Sequence, residues 1–165
     1  MEGPPVGGGA SLGSTDVLSL GNGGEIIVSF EPNAIVDGPG VDFIVFENPF
    51  NYGNDQRYVE PGEVSVSEDG VTWTAFPCTD TTQVDPDGGW GATQCGGMNV
   101  VYSNPDNGIS PLDPTTAGGD AYDLADIGVK HAKYVRIVDQ VVESWCNDQN
   151  GFDLDAIAIV NAELP

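Results

Sequence analysis

Acidic and amide side chains stand at the end of the most apolar stretch of this chain. A short apolar run, made of Val41 and residues 43–46, follows a group of turn residues, and Glu47 and Asn48 come directly after it. Such a run is typical of a strand buried on both faces. A carboxylate and an amide at the point where a core strand reaches the surface either anchor a loop through hydrogen bonds or bind a hard cation.

A second pair of carboxylates stands at the start of the last apolar segment. Asp153 and Asp155 flank Leu154, and alternate residues of a strand point to the same side. Neighbouring carboxylates repel each other unless a cation or a donor lies between them. Only four Lys and Arg residues are present in the chain, so the pattern favours calcium, which takes several oxygen ligands.

A third acidic group follows two consecutive glycines. Asp120 and Asp123 come after Gly118 and Gly119, where backbone carbonyls could approach the same ion. The alternative is a helical turn over residues 120–127 with Asp120 as its N-cap, and the sequence leaves both interpretations open. The predicted calcium ligands are Glu47, Asn48, Asp120, Asp123, Asp153 and Asp155.

The overall charge limits the partners. Twenty-six acidic residues give a net charge of -22, which repels nucleic acids and anionic membranes. No stretch approaches the roughly 20 apolar residues that span a bilayer. We therefore expect no nucleic acid partner and no membrane insertion. The charge itself indicates either a solvated surface or the binding of divalent cations.

The apolar pattern predicts an all-β fold. Residues 64–67 and 71–76 alternate around a Glu-Asp-Gly turn, which indicates a hairpin with Trp73 in the core. Residues 16–20 and 25–30 indicate another hairpin. With 23 Gly and 12 Pro residues in the chain, we predict an antiparallel β-sandwich or jelly roll of about eight strands, with long loops and little helix. A Gly-rich lead-in, residues 1–14, precedes one domain, residues 15–165.

The cysteines favour a disulfide over a zinc site. The chain has three cysteines, none of them in a Cys-x-x-Cys pair, and a single histidine. A zinc site is therefore not expected. A bond between Cys78 and Cys95 would pin a long loop at both ends and favours an oxidising compartment. Cys146 is then either a buried thiol or a link for self-association between molecules.

Aromatic side chains in irregular segments suggest a second kind of site. Trp90, Trp145, Tyr52 and Tyr58 lie in segments without strand periodicity. An aromatic platform flanked by polar groups binds sugars. The alternative is that these side chains cap the ends of the sandwich.

Two motifs carry a family resemblance. The hairpin VSVSEDGVTWTAF and the later strand AKYVRIVD resemble the galactose-binding-like, discoidin-type jelly rolls. Most of the chain, including DGPGVDFIVFENPF and GFDLDAIAIVNA, is similar to a group of mostly uncharacterised bacterial secreted or cell-surface proteins. The resemblance implies an exported eight-stranded β-sandwich without known catalytic machinery. Its superfamily includes carbohydrate-binding and cell-adhesion modules that often hold structural calcium, but its metal residues do not map onto this chain.

Catalytic motifs give no support for an enzyme. His131 is the only histidine, and no GxSxG, phosphate-loop or HExxH motif is present. Because the chain has so many acidic residues, a carboxylate pair for glycoside hydrolysis remains an open alternative. The sequence predicts a secreted or cell-surface calcium-binding module with a structural or adhesive role and other surface proteins as partners. The alternative is a carbohydrate-binding module with glycans as partners.

Overall fold

The described part of the chain is built almost entirely from short β-strands. A computed structural model describes residues 3–52, 56–78, 94–140 and 151–165. Within these ranges there are fourteen strands and one 3-10 helix. The strands are β1 (Leu18–Ser19), β2 (Glu25–Ser29), β3 (Ala34–Val36), β4 (Phe43–Phe46), β5 (Phe50–Tyr52), β6 (Gln56–Tyr58), β7 (Gly62–Ser67), β8 (Thr74–Ala75), β9 (Asp120–Tyr122), β10 (His131–Ala132), β11 (Tyr134–Asp139), β12 (Asp153–Leu154), β13 (Ala156–Ile159) and β14 (Ala162–Glu163), and the helix spans Leu124–Ile127.

Two antiparallel sheets pack against each other. The first has the order β2-β11-β7-β8 and the second the order β13-β4-β9, while the remaining strands form smaller pairs and a three-stranded sheet. Phe43 and Val45 from the second sheet meet Val64 and Ile137 from the first in one buried cluster. The predicted all-β, antiparallel sandwich is therefore confirmed.

The central strand β4 is buried on both faces, as predicted. Phe43 and Val45 face the cluster between the two sheets, while Ile44 and Phe46 face a second cluster on the other side. Because side chains alternate along a strand, β4 has no polar face. Charged residues that belong to it can stand only at its ends.

The predicted hairpin is present, but its core residue differs. β7 and β8 pair antiparallel, with Val66 opposite Thr74. Phe76 is buried, whereas Trp73 is half-buried and lies under the Arg136 guanidinium, 4.8 Å from the ring centroid. The prediction that Trp73 belongs to the core is therefore wrong. The side chain that enters the core is that of Phe76, which points to the opposite face of the segment from Trp73.

The contact between Arg136 and Trp73 yields a testable prediction. The guanidinium also donates from Nε to Ser65 Oγ at 3.1 Å. A cation over an aromatic ring at an exposed site contributes about 0.5–1 kcal/mol, so Arg136→Gln should lower the free energy of unfolding by about 1 kcal/mol in urea titrations. Lys133→Gln removes the same charge but only a long surface ion pair with Glu31, and should change it by less. Equal values for the two variants would contradict the prediction.

The first two strands do not form the predicted hairpin. β1 pairs with β12 and β2 pairs with β11. The turn between them leads the chain from the β1–β12 pair into the first sheet, with Gly21 and Gly23 at φ 67° and 70°. Ile26 and Val28 of β2 pack against the buried cluster between the two sheets. This packing places β2 beside β11, a strand that is distant in sequence.

The predicted helical turn is shorter than expected. The 3-10 helix begins at Leu124, and Asp123 is its N-cap, accepting the Ala125 N–H at 2.9 Å. Asp120 is not the cap, because it lies in β9 opposite Val45.

The Gly-rich N-terminal segment is bound along the body of the protein. The N–H groups of Gly7 and Gly9 donate to the carbonyls of Ser103 and Val101, each at 3.0 Å. A Cβ at Gly7 would lie 2.5 Å from the Val101 oxygen, so this close approach requires glycine.

The disulfide prediction is confirmed. Cys78 and Cys95 are bonded across 17 positions of sequence, and Cys146 lies outside the described residues. In the described ranges, no helix has the length and apolar character needed to cross a membrane.

Candidate metal centre

Three carboxylates converge at one end of the sandwich. Glu47, Glu60 and Asp153 each place an oxygen within 4.8 Å of the others. Glu47 directly follows β4, Asp153 begins β12, and Glu60 stands two residues before β7. We call these three residues the carboxylate cluster.

Strand pairing brings the cluster together. Ala156 lies opposite Phe46 in the antiparallel pair of β13 and β4, so the residues just before β13 run beside the end of β4. Glu60 arrives from the other sheet, because it leads into β7. The carboxylate cluster therefore joins the two sheets at the edge of their shared core.

The Glu47 side chain is the unusual member. It is only 1% exposed, and neither carboxylate oxygen has a hydrogen-bond partner among the described residues. Burial, and then the negative charge of Glu60, raises the pKa of Glu47 well above its ordinary value. The backbone N–H groups of Asn48 and Asp153 lower this pKa without reaching hydrogen-bond geometry. A buried polar group in this state is costly.

Glu60 is held in place by neighbouring donors. Its Oε1 accepts the Tyr58 hydroxyl at 3.1 Å and the Gly151 N–H at 2.8 Å. Burial raises the pKa of Glu60, although the Gly151 N–H opposes this. The cluster is completed by Asp153 Oδ1, a buried atom with no hydrogen-bond partner within the described ranges.

No basic side chain neutralises the carboxylate cluster in the described part of the chain. Lys130 pairs with Asp37, Lys133 with Glu31, and His131 lies near Glu68 and Glu163. Three adjacent carboxylates, two of them with unpartnered oxygens, repel each other unless a cation lies between them. The arrangement offers only hard oxygen ligands, which suit calcium.

A second acidic group at the opposite end of β4 provides a contrast. Asp37, Asp42 and Asp123 also approach within 4.8 Å of one another. Here the charges are compensated, because Lys130 pairs with Asp37 and fully buried Asp42 is saturated by donors. The donors to Asp42 are the N–H groups of Gly38 and Leu124 and the Asn161 side-chain amide. Within the described residues this group has no buried oxygen without a hydrogen-bond partner, and it carries no argument for a metal.

Two predicted ligands next to the cluster bind the N-terminal segment instead. The Asn48 amide donates to the Ser14 carbonyl at 2.7 Å. Both oxygens of Asp155 accept the Val6 N–H, at 2.9 and 3.1 Å. Burial raises the pKa of Asp155 to about 6.

Asp120 is also engaged elsewhere. It accepts the N–H groups of Gly97 and Met98 and the Asn99 side-chain amide, at 2.7, 3.1 and 2.8 Å. Burial raises the pKa of Asp120 to about 7. With Asp123 acting as a helix cap, the structure brings together only Glu47 and Asp153 of the six predicted ligands.

Glu60 was missed at the level of sequence. Its signal is comparable to that of Glu47, because it is an acid just outside a strand rich in buried residues. Which strand ends meet in space depends on the order of the strands in the sheets. That order is not contained in the local pattern.

The predicted aromatic platform is only partly described. Trp90 and Trp145 lie outside the described residues. Tyr52 is 49% exposed on the β5–β6 hairpin. The Tyr58 ring stacks on Phe50 at 5.4 Å, and its hydroxyl donates to Glu60. Tyr58 therefore supports the carboxylate cluster.

Comparisons with family models, curated proteins and solved structures give no match to this chain. Its function is therefore inferred from the geometry of the carboxylate cluster.

Proposed function

We propose that this protein is a secreted or cell-surface β-sandwich module that binds one calcium ion with a structural or adhesive role. The ion would lie between Glu47, Glu60 and Asp153. One observation carries the proposal: the Glu47 carboxylate is buried beside two other carboxylates, and none of the described residues donates a hydrogen bond to it.

The ligand chemistry favours calcium over other common cations. Zinc prefers nitrogen and sulfur ligands, and the only histidine lies near Glu68 and Glu163. Magnesium keeps several waters and demands a small octahedral site, whereas calcium takes oxygen ligands at about 2.3–2.6 Å. Opposite ligands of calcium are then about 5 Å apart, which agrees with oxygens that all lie within 4.8 Å of one another.

The position of the ion explains a structural role. Glu47 extends the central strand of one sheet, and Glu60 leads into a strand of the other. An ion between them would tie the two sheets together at one end of the core. Burial of Glu47 and Glu60 supports a structural ion more than one that contacts a sugar directly.

The disulfide supports the exported location, because such bonds persist mainly in oxidising compartments. Calcium modules outside the cell typically have dissociation constants of about 0.1–1 mM. Other surface proteins are the partners that fit a structural or adhesive module. The glycan-binding alternative has less support, since Tyr58 is engaged with Glu60.

Calcium titration tests the proposal. At a free calcium concentration 100 times the dissociation constant, a ligand of the folded state stabilises it by about 2.7 kcal/mol. For a domain of this size the melting temperature should rise by about 5–10 °C. Differential scanning fluorimetry and calorimetric titration on chelator-treated protein measure both quantities.

Matched variants locate the ion. Asp153→Asn should weaken calcium binding at least tenfold, whereas Asp37→Asn, in the compensated group at the other end of β4, should leave it unchanged. If exhaustive chelation and calcium addition leave the melting curve of the wild-type protein unaltered, and elemental analysis finds no metal, the calcium proposal is wrong.

A further inference from the structure

We infer that the Cys78–Cys95 disulfide controls the affinity of the carboxylate cluster for its ion, so that tight calcium binding is a property of the oxidised chain. This inference rests on the proposed function and adds a regulation of the same site. It starts from the surroundings of Glu60, the ligand supplied by the second sheet.

The backbone around Glu60 is held between two other segments. On one side, Gly62 and Gly96 exchange two hydrogen bonds, at 3.0 and 2.9 Å. On the other side, Gly62 pairs with Asp139 in the sheet, and the Gln140 N–H donates to the Pro61 carbonyl at 2.9 Å. The position of Glu60 therefore depends on residues 95–97 as well as on β11.

Gly97 packs directly on Glu60. Its φ is 81°, and a Cβ added there would lie 2.3 Å from the Glu60 carbonyl oxygen. The Gly97 N–H donates to Asp120 at 2.7 Å. A shift of residues 95–97 would consequently move the backbone of Glu60, a proposed calcium ligand.

The disulfide fixes this segment to the first sheet. Cys95 directly precedes Gly96 and is bonded to Cys78, which stands two residues after the buried Phe76. The Phe76 N–H donates to the Val64 carbonyl at 2.9 Å. The covalent bond thus ties residue 95 to strand β7, the same strand that Glu60 leads into.

Reduction would remove this tether. A dithiol supplies two electrons and two protons, Cys78 and Cys95 become thiols, and the dithiol becomes a cyclic disulfide. Residues 95–97 then keep only their hydrogen bonds, and Glu60 loses a fixed neighbour. Groups that orient metal ligands typically change affinity 10–100-fold when they are lost.

Calcium calorimetry on the full chain tests the inference. We expect the dissociation constant to rise at least tenfold in Cys78→Ser/Cys95→Ser and in dithiol-reduced wild-type protein. Cys146→Ser keeps the disulfide and should bind calcium like the wild type. Circular dichroism in the near ultraviolet at the titration temperature shows whether each protein is folded.

A pair of glycine variants tests the same contact without touching the disulfide. Gly97→Ala pushes on the Glu60 carbonyl, whereas Gly108→Ala has a similar φ of 73° but nothing within 4 Å of the added Cβ. Both substitutions carry the strain of a left-handed residue. Only Gly97→Ala should weaken calcium binding. If it binds calcium as tightly as Gly108→Ala, the contact between Gly97 and Glu60 does not pass the constraint of the disulfide to the ligand, and the inference is wrong even if the double serine variant does not fold.

Two outcomes separate the inference from the proposed function. If the reduced protein is folded and binds calcium as tightly as the oxidised protein, the disulfide does not control the affinity. The proposed calcium site is not contradicted by that result. Oxidised wild-type protein that binds no calcium overturns the site itself.

Discussion

With calcium chelated at pH 8, Glu47→Gln should melt at a higher temperature than the wild-type protein, and with saturating calcium at a lower one. Glutamine has nearly the shape of glutamate but carries no charge. Without an ion, the substitution relieves a buried carboxylate that none of the described residues compensates and that faces two others. With calcium, the same substitution removes a ligand.

The size of these two opposite shifts in melting temperature follows from the cost of a buried, unpaired charge. Removing one partner of a buried ion pair costs about 3–5 kcal/mol, so a difference of a few kcal/mol is expected in each condition. Melting curves with chelator and with calcium measure it. If Glu47 binds no cation, the substitution should shift the melting temperature in the same direction and by the same amount in both conditions.

Asp42→Asn is the matched control, because Asp42 is equally buried at the other end of β4 but accepts three hydrogen bonds. Its substitution should lower the melting temperature with and without calcium. If Glu47→Gln behaves in the same way, the carboxylate cluster is not a cation site.

The contrast between these two acids shows what the sequence could predict about the site. A strand with core on both faces has polar side chains only at its ends, so Glu47 was identifiable from the apolar run before it. Asp153 was identifiable for the same reason at the start of the last strands. Glu60 required the knowledge that β7 and β4 belong to facing sheets and that their ends meet.

The elements of the fold that were predicted correctly depend on local sequence, and the others depend on contacts between distant segments. The β7–β8 hairpin depends on neighbouring residues and a turn of three, and it was predicted. β1 and β2 have short apolar patterns that fit several partners, and contacts with β12 and β11, more than 100 residues away, decide their pairing. The choice of Phe76 over Trp73 for the core depends on register, which a one-residue shift inverts.

Asp120 should make the protein less stable as the pH rises towards 7. Burial raises the pKa of its carboxyl from 3.8 to about 7 in the folded state. The folded protein therefore binds this proton more tightly than the unfolded chain, and the resulting stabilisation, present in full below pH 3.8, is lost as the pH rises through about 7. The whole difference corresponds to about 4 kcal/mol, of which about 3 kcal/mol falls between pH 5 and pH 8.

Asp120→Asn isolates this contribution. Asparagine does not titrate, and its oxygen can still accept the N–H groups of Gly97 and Met98. In urea unfolding from pH 5 to pH 8, the stability of the wild type relative to the variant should fall by about 3 kcal/mol, because groups common to both proteins, including Asp155, cancel in the difference. Asp113→Asn is the control, since hydrogen bonds from Thr115 and Thr116 lower the pKa of Asp113 and place its titration below this range. A stability difference between wild type and Asp120→Asn that stays constant over the range would show that Asp120 is ionised throughout and that its three donors outweigh the effect of burial.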